Sequence, residues 1–96
     1  MNSILLQALQ QAKVLELHYH GYSRIVEPHA YGCDKNDDEI LRCYQTSGGS
    51  ESGERIGWKL LKVREAFSFH LTDITFSARL EYKRNDKAMN HLFAQL

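Results

Sequence analysis

Cysteine, proline and net charge are all scarce in this chain, and each scarcity removes a class of protein. Its two cysteines, Cys33 and Cys43, are too few and too irregularly placed for a disulfide framework or a zinc site. They are expected as reduced thiols, with Cys43 in the core. A single proline, together with 43% hydrophobic and 25% charged residues, sets the sequence apart from collagenous and disordered chains. Twelve basic and twelve acidic residues cancel, so no global field draws in polyanions. Any nucleic-acid contact must then come from a local patch. No apolar run approaches the ~20 residues needed to cross a membrane. The opening Met1-Asn2-Ser3-Ile4-Leu5-Leu6 lacks the positive charge and small-residue cleavage site of a signal peptide. Together these absences point to a cytoplasmic protein. What 96 residues do provide is one domain with one modest core.

The hydrophobic pattern divides that domain into short elements. Asn2 or Ser3 can cap a first helix over about residues 3–12, because a short polar side chain accepts from the free N–H groups there. Leu5, Ala8, Leu9 and Ala12 then recur at helical spacing. After Lys13 the period becomes two. Leu15, Leu17 and Tyr19 alternate with Glu16, His18 and His20, which reads as a half-buried strand over 14–20. A turn follows, in which Gly21 is free to take positive φ. Further strands are expected at about 24–31, 40–45, 58–63 and 67–72. Pro28 marks the second as an edge or a bulge, since it cannot donate to a ladder. Thr46 to Gly57, rich in Gly and Ser, is expected as a mobile loop, and Arg64-Glu65-Ala66 as a bend that curls the sheet. Met89, Leu92, Phe93 and Leu96 fall at i, i+3, i+4 and i+7, predicting a capped helix over 86–96. The fold class is thus mainly β: five strands in a small, partly open barrel, with a helix at each end.

Several residues in this pattern carry a resemblance. From about Val14 to Asp73 the chain resembles the WYL domain, a small Sm-like barrel of bacterial regulators. The likeness rests on a strand ending in Tyr19, on Arg24-Ile25-Val26-Glu27-Pro28, on the hydrophobic strand after it, and on Trp58-Lys59-Leu60-Leu61-Lys62-Val63. Where the family carries Trp-Tyr-Leu, this chain reads Glu39-Ile40-Leu41. Trp58, Lys59 and Lys62 stand for the family's Phe and two Arg residues, and Leu61 for its Asp. The resemblance implies an effector-binding module of the kind joined to helix-turn-helix domains and responsive to nucleotides or nucleic-acid fragments. This chain is expected to stand alone, and so to signal through a partner regulator or a homodimer.

The residues expected to bind such a ligand are Arg24, Arg42, Tyr44, Lys59 and Lys62, with Tyr19 and Tyr31 as stacking faces. Arginine offers a planar fork that matches phosphate, and aromatic rings stack on bases. Alternation puts Arg42 and Tyr44 on one strand face, and Lys59 on the opposite face from Lys62. Outward basic residues on strands also serve simply to solvate and blunt edges. His18 and His20 share a face, and His29 or His70 would have to join them to bind a metal. No carboxylate or cysteine stands at a familiar ligand spacing, so neither a metal nor a cofactor is expected. Ser47-Gly48-Gly49-Ser50 matches neither a nucleophile elbow nor a phosphate loop, and the clustered carboxylates lie in polar loops. No enzyme is expected. Two readings follow: a sensor of a nucleotide or short single-stranded nucleic acid, or an interaction module acting through its C-terminal amphipathic helix.

Overall fold

In the computed structural model, which describes residues 1–96, one short helix precedes six strands of a single antiparallel sheet. The order is α1 (Ser3–Gln11), β1 (Lys13–Tyr19), β2 (Tyr22–Cys33), β3 (Glu39–Gly48), β4 (Gly57–Lys62), a 3-10 turn (Val63–Glu65), β5 (Ala66–Thr75) and β6 (His91–Gln95). The sheet runs β4-β3-β2-β1-β5, with β6 added beside β2, and it does not close. No helix is long and apolar enough to cross a membrane.

The helix starts where a cap is available. Asn2 Oδ1 accepts from the Ile4 and Leu5 N–H groups at 2.9 and 3.1 Å. It ends at Ala12, which takes the left-handed conformation with φ 50°. Leu5, Ala8 and Leu9 form its buried stripe. They pack with Leu15, Leu17, Val26, Tyr31, Leu41, Cys43 and Leu61 on the inner face of the sheet. Fully burying each leucine contributes about 1.5–3 kcal/mol. The β1–β2 connection has two residues, His20 (φ 49°) and Gly21 (φ 82°), between the paired Tyr19 and Tyr22. Two successive positive φ values match the right-handed twist of the flanking strands.

β2 is the spine. It pairs with β3 along most of its length, while its other side meets β1 up to Val26 and β6 from Ala30 onward. Pro28 sits in the interval between those two partners, where no ladder bond is asked of it. On the β3 side Pro28 opposes Cys43 and Ala30 opposes Arg42, so His29 is an extra residue in a bulge. The edge-or-bulge reading of Pro28 therefore resolves as a bulge within a central strand.

Two expectations are corrected. The C-terminal segment is not a helix over 86–96 but the strand β6. Helical periodicity in so short a segment supplies little stability by itself, whereas β2 beyond the end of β1 offers an unpaired edge. Gly32 lets β6 come close, since a Cβ there would lie 2.2 Å from the His91 carbonyl oxygen. Phe93 then meets Tyr31 edge-on at 5.0 Å. Nor is the Gly/Ser stretch simply a linker loop. β3 continues through Gly48, which opposes Arg24. Gly48 has φ 102°, and a Cβ on it would lie 2.2 Å from the Ser23 carbonyl oxygen. The expected bend at Arg64-Glu65-Ala66 is realised as the 3-10 turn.

Candidate functional site

The outer face of β2, β3 and β4 is covered by residues 76–90, a segment without helix or strand. Alternation brings Glu27, Arg42, Tyr44 and Trp58 to this face, where Tyr44 opposes both Glu27 and Trp58. The bulge turns His29 toward the same side, where its ring meets Trp58 edge-on at 4.7 Å and Tyr82 at 4.9 Å.

Backbone bonds pin the segment at its ends, from the Phe76 N–H to the Ala12 carbonyl oxygen at 3.0 Å and from the Asn90 N–H to the Cys33 carbonyl oxygen at 2.8 Å. Four further polar attachments hold its middle to β2 and β3. Arg79 Nε and Nη2 donate to the two Glu27 carboxylate oxygens at 2.9 and 3.2 Å. The Arg79 backbone N–H donates to His29 Nε2 at 3.1 Å. The Tyr82 hydroxyl donates to the His29 carbonyl oxygen at 3.1 Å. Arg42 Nε donates to Asp86 Oδ2 at 2.7 Å, and Asp86 also accepts from the Ala88 N–H. The Arg42 guanidinium holds the Asp86 carboxyl below its usual range.

Beside these attachments lies an open cleft of about 610 Å³. Arg42 and Trp58 form its sheet side, and residues 81–87 supply the rest. The Trp58 and Tyr82 rings are inclined by 29° with centroids 6.2 Å apart. Four basic side chains, Arg42, Lys83, Arg84 and Lys87, outnumber the two carboxylates of Glu81 and Asp86. Lys83 and Lys87 take part in no ion pair. Such an arrangement can hold an anionic group beside a planar one. No protein-family model matches the chain, and no curated protein or solved structure is significantly similar to it.

The structure places the seven expected binding residues in several locations. Arg42 lines the cleft, and Tyr44 lies nearby beneath Arg79. Arg24 is on the inner face and only 3% exposed. It donates to Gln45 Oε1 at 3.3 Å and to the Tyr19 carbonyl oxygen at 3.2 Å, with its guanidinium 5.1 Å from the Tyr19 ring centroid. Tyr19 is buried too, and its hydroxyl accepts from the Lys62 N–H at 3.1 Å. Burial raises its phenol pKa. Tyr31 presents no stacking face: it is fully buried, its hydroxyl accepts from the Asn2 N–H at 2.7 Å, and it donates to Glu39. Burial first, with Glu39 adding, pushes its pKa up to about 12. Lys59 opposes Cys43, away from the cleft, and binds Ser50 Oγ and the Glu54 carbonyl oxygen. Lys62 pairs with Asp38 at 3.4 Å.

The histidines are likewise dispersed. His18 stacks on Phe67. His20, at the hairpin tip, is held between Glu51 and Glu65, which raise its pKa, Glu65 foremost. Sequence reasoning passed over the cleft's other half. The signal available was the run Tyr82-Lys83-Arg84, an aromatic beside two cations, followed by Lys87. Nothing in one dimension attached that run to Trp58 and Arg42.

Proposed function

We propose that this is a ligand-sensing module which binds a nucleotide or short single-stranded nucleic acid in the cleft between β3–β4 and residues 81–87. The observation that carries this reading is the Trp58–Tyr82 ring pair beside Lys83 and Lys87, two cations without ion-pair partners. A base stacks on the indole or phenol face, and phosphate meets the basic side chains. Arg42 is a frame residue in this scheme, since Asp86 already occupies its fork.

The strand order β4-β3-β2-β1-β5, with α1 ahead of it and a 3-10 turn between β4 and β5, supports reading this unclosed sheet as a WYL-like, Sm-type partly open barrel. In this reading the signal passes to a partner, either another copy or a regulator. A contact carried by a C-terminal helix lacks its element here, because those residues are β6.

Trp58 is the single tryptophan, so its fluorescence reports on the cleft directly. Titrating the intact chain with mono-, di- and oligonucleotides should give saturable quenching. Stacking worth about 1–3 kcal/mol per base means that Tyr82→Ala weakens binding roughly 5- to 150-fold. Each phosphate neutralised should steepen the salt dependence by about 0.7 in the log–log slope. Absence of saturable quenching by any nucleotide at millimolar concentration would sink the proposal.

A further inference from the structure

We infer that His29 is a proton-operated latch for residues 76–90, so that acid releases the segment and dismantles the cleft. The ligand part of this inference rests on the function proposed above; the latch itself does not.

Hydrogen-bond polarity determines the state of the ring. Nδ1 lies 2.8 Å from the Glu27 carbonyl oxygen, which can only accept, so Nδ1 carries the proton. Nε2 lies 3.1 Å from the Arg79 backbone N–H, which can only donate, so Nε2 must present a lone pair. The closed segment is therefore compatible with one species, the neutral Nδ1–H tautomer. A proton on Nε2 would set two N–H groups against each other, on a ring that is fully buried among Trp58, Phe76 and Tyr82. Proton uptake requires the Arg79 N–H to leave.

The same residue anchors more than Arg79. Its carbonyl oxygen accepts from the Tyr82 hydroxyl and from the Leu96 N–H at 2.9 Å. Three hydrogen bonds of His29 thus run to the C-terminal region, and one of them fixes a wall of the cleft.

The surrounding charges act as follows. Burial depresses the His29 pKa, and Arg79 adds to that, while Glu27 on β2 and Glu81 on the segment oppose it. Tyr82 is the other titratable group against the ring, with its own pKa raised by burial. On β3 the flanking registers carry Cys43, whose pKa is pushed up to about 12, and Arg42, bound to Asp86. The carboxyl of Asp86 is held below its usual range, so that attachment fails only at much lower pH. Closure is complete above the released-state pKa of about 6.5 and weakens as pH falls below it, until the depressed closed-state value is reached. Of the groups named around the ring, His29 is the one expected to respond in that window.

The test is amide exchange of residues 76–90 in the intact chain, without ligand, between pH 7.5 and 5. Protection corrected for intrinsic exchange should fall by up to about tenfold per pH unit below about 6.5, the signature of one proton. His29→Gln keeps one donor and one acceptor and cannot titrate, so its protection should be flat across the range. Should that variant fail to fold, imidazole nitrogen shifts of the unmodified chain decide alone. The Nδ1–H tautomer at pH 7.5, titrating together with the loss of protection, supports the latch. Titration near 6.5 with the segment still protected, or an equal loss of protection in His29→Gln, overturns it. Pairing exchange with a nucleotide titration at pH 7.5 separates the two proposals. PH-linked release without nucleotide binding retires the function alone, and binding with pH-independent protection retires the latch alone.

Discussion

The Arg79 guanidinium carbon lies 3.9 Å from the centroid of the Tyr44 ring while its nitrogens hold both carboxylate oxygens of Glu27. One side chain of an irregular segment thus meets two strands of the sheet at once. The planar fork satisfies the carboxylate in its plane and the aromatic ring on its face, a combination that lysine cannot reproduce. Arg79→Lys should therefore loosen residues 76–90 while leaving the β1–β2 hairpin protected, and Arg79→Ala should loosen them further. Residue-resolved amide exchange checks this ordering. Uniform loss of protection across the sheet would show that Arg79 supports the whole fold rather than the segment.

Arg42 should behave differently from the two free lysines. Arg42→Ala strips Asp86 of its partner and is expected to lower both the melting temperature and nucleotide affinity. Lys83→Ala with Lys87→Ala should lower affinity alone, since neither is ion-paired. Thermal melts beside fluorescence titrations decide it. The distinction is lost if Arg42→Ala melts like the unmodified chain.

Tyr31→Phe removes a buried hydroxyl that accepts from Asn2 and donates to Glu39. Leaving those groups without it should cost about 1–3 kcal/mol. Urea unfolding should show this as a shifted midpoint at constant slope. An unchanged midpoint would mean that water replaces the hydroxyl at no cost.

His20 contributes with the opposite sign to His29. Its pKa is raised by Glu65 and Glu51, so its contribution is full below about 6.5 and is lost as pH rises through the raised value. His20→Asn should flatten that alkaline decline in melting temperature, and added salt should shrink it, because the group is exposed at the hairpin tip. A decline of equal size in the variant would place its origin elsewhere.

Gly48→Ala should be among the more damaging single substitutions. It puts a Cβ 2.2 Å from the Ser23 carbonyl oxygen at a residue with φ 102°. The strain alone is worth about 1–3 kcal/mol. Gly53→Ala offers the comparison: φ is 80° but the space around it is open, so its cost should be smaller. Equal losses would leave the close approach at Gly48 without consequence.

Elements whose own residues both form and bury them were legible in one dimension. The Leu5-Ala8-Leu9 stripe, the alternation through Tyr19, the His20-Gly21 turn and the shared face of Arg42 and Tyr44 depend on neighbours a few positions away. The C-terminal residues form a strand where their period predicts a helix, for the converse reason. Met89, Leu92, Phe93 and Leu96 do carry a helical period, but an open β2 edge sixty residues earlier offers a backbone ladder that a lone short turn of helix lacks. The seven residues expected to bind a ligand are scattered in place. Alternation gives a side chain its face but not what lies across from it, and so Arg24, Tyr19 and Tyr31 turned inward to serve the core. Composition and period determined a small mainly β domain with one strand that is basic and aromatic on its outer face. The tertiary structure alone decided that residues 76–90 cross that strand, because the bond from Arg79 to His29 spans fifty positions and depends on a bulge whose geometry no local pattern states.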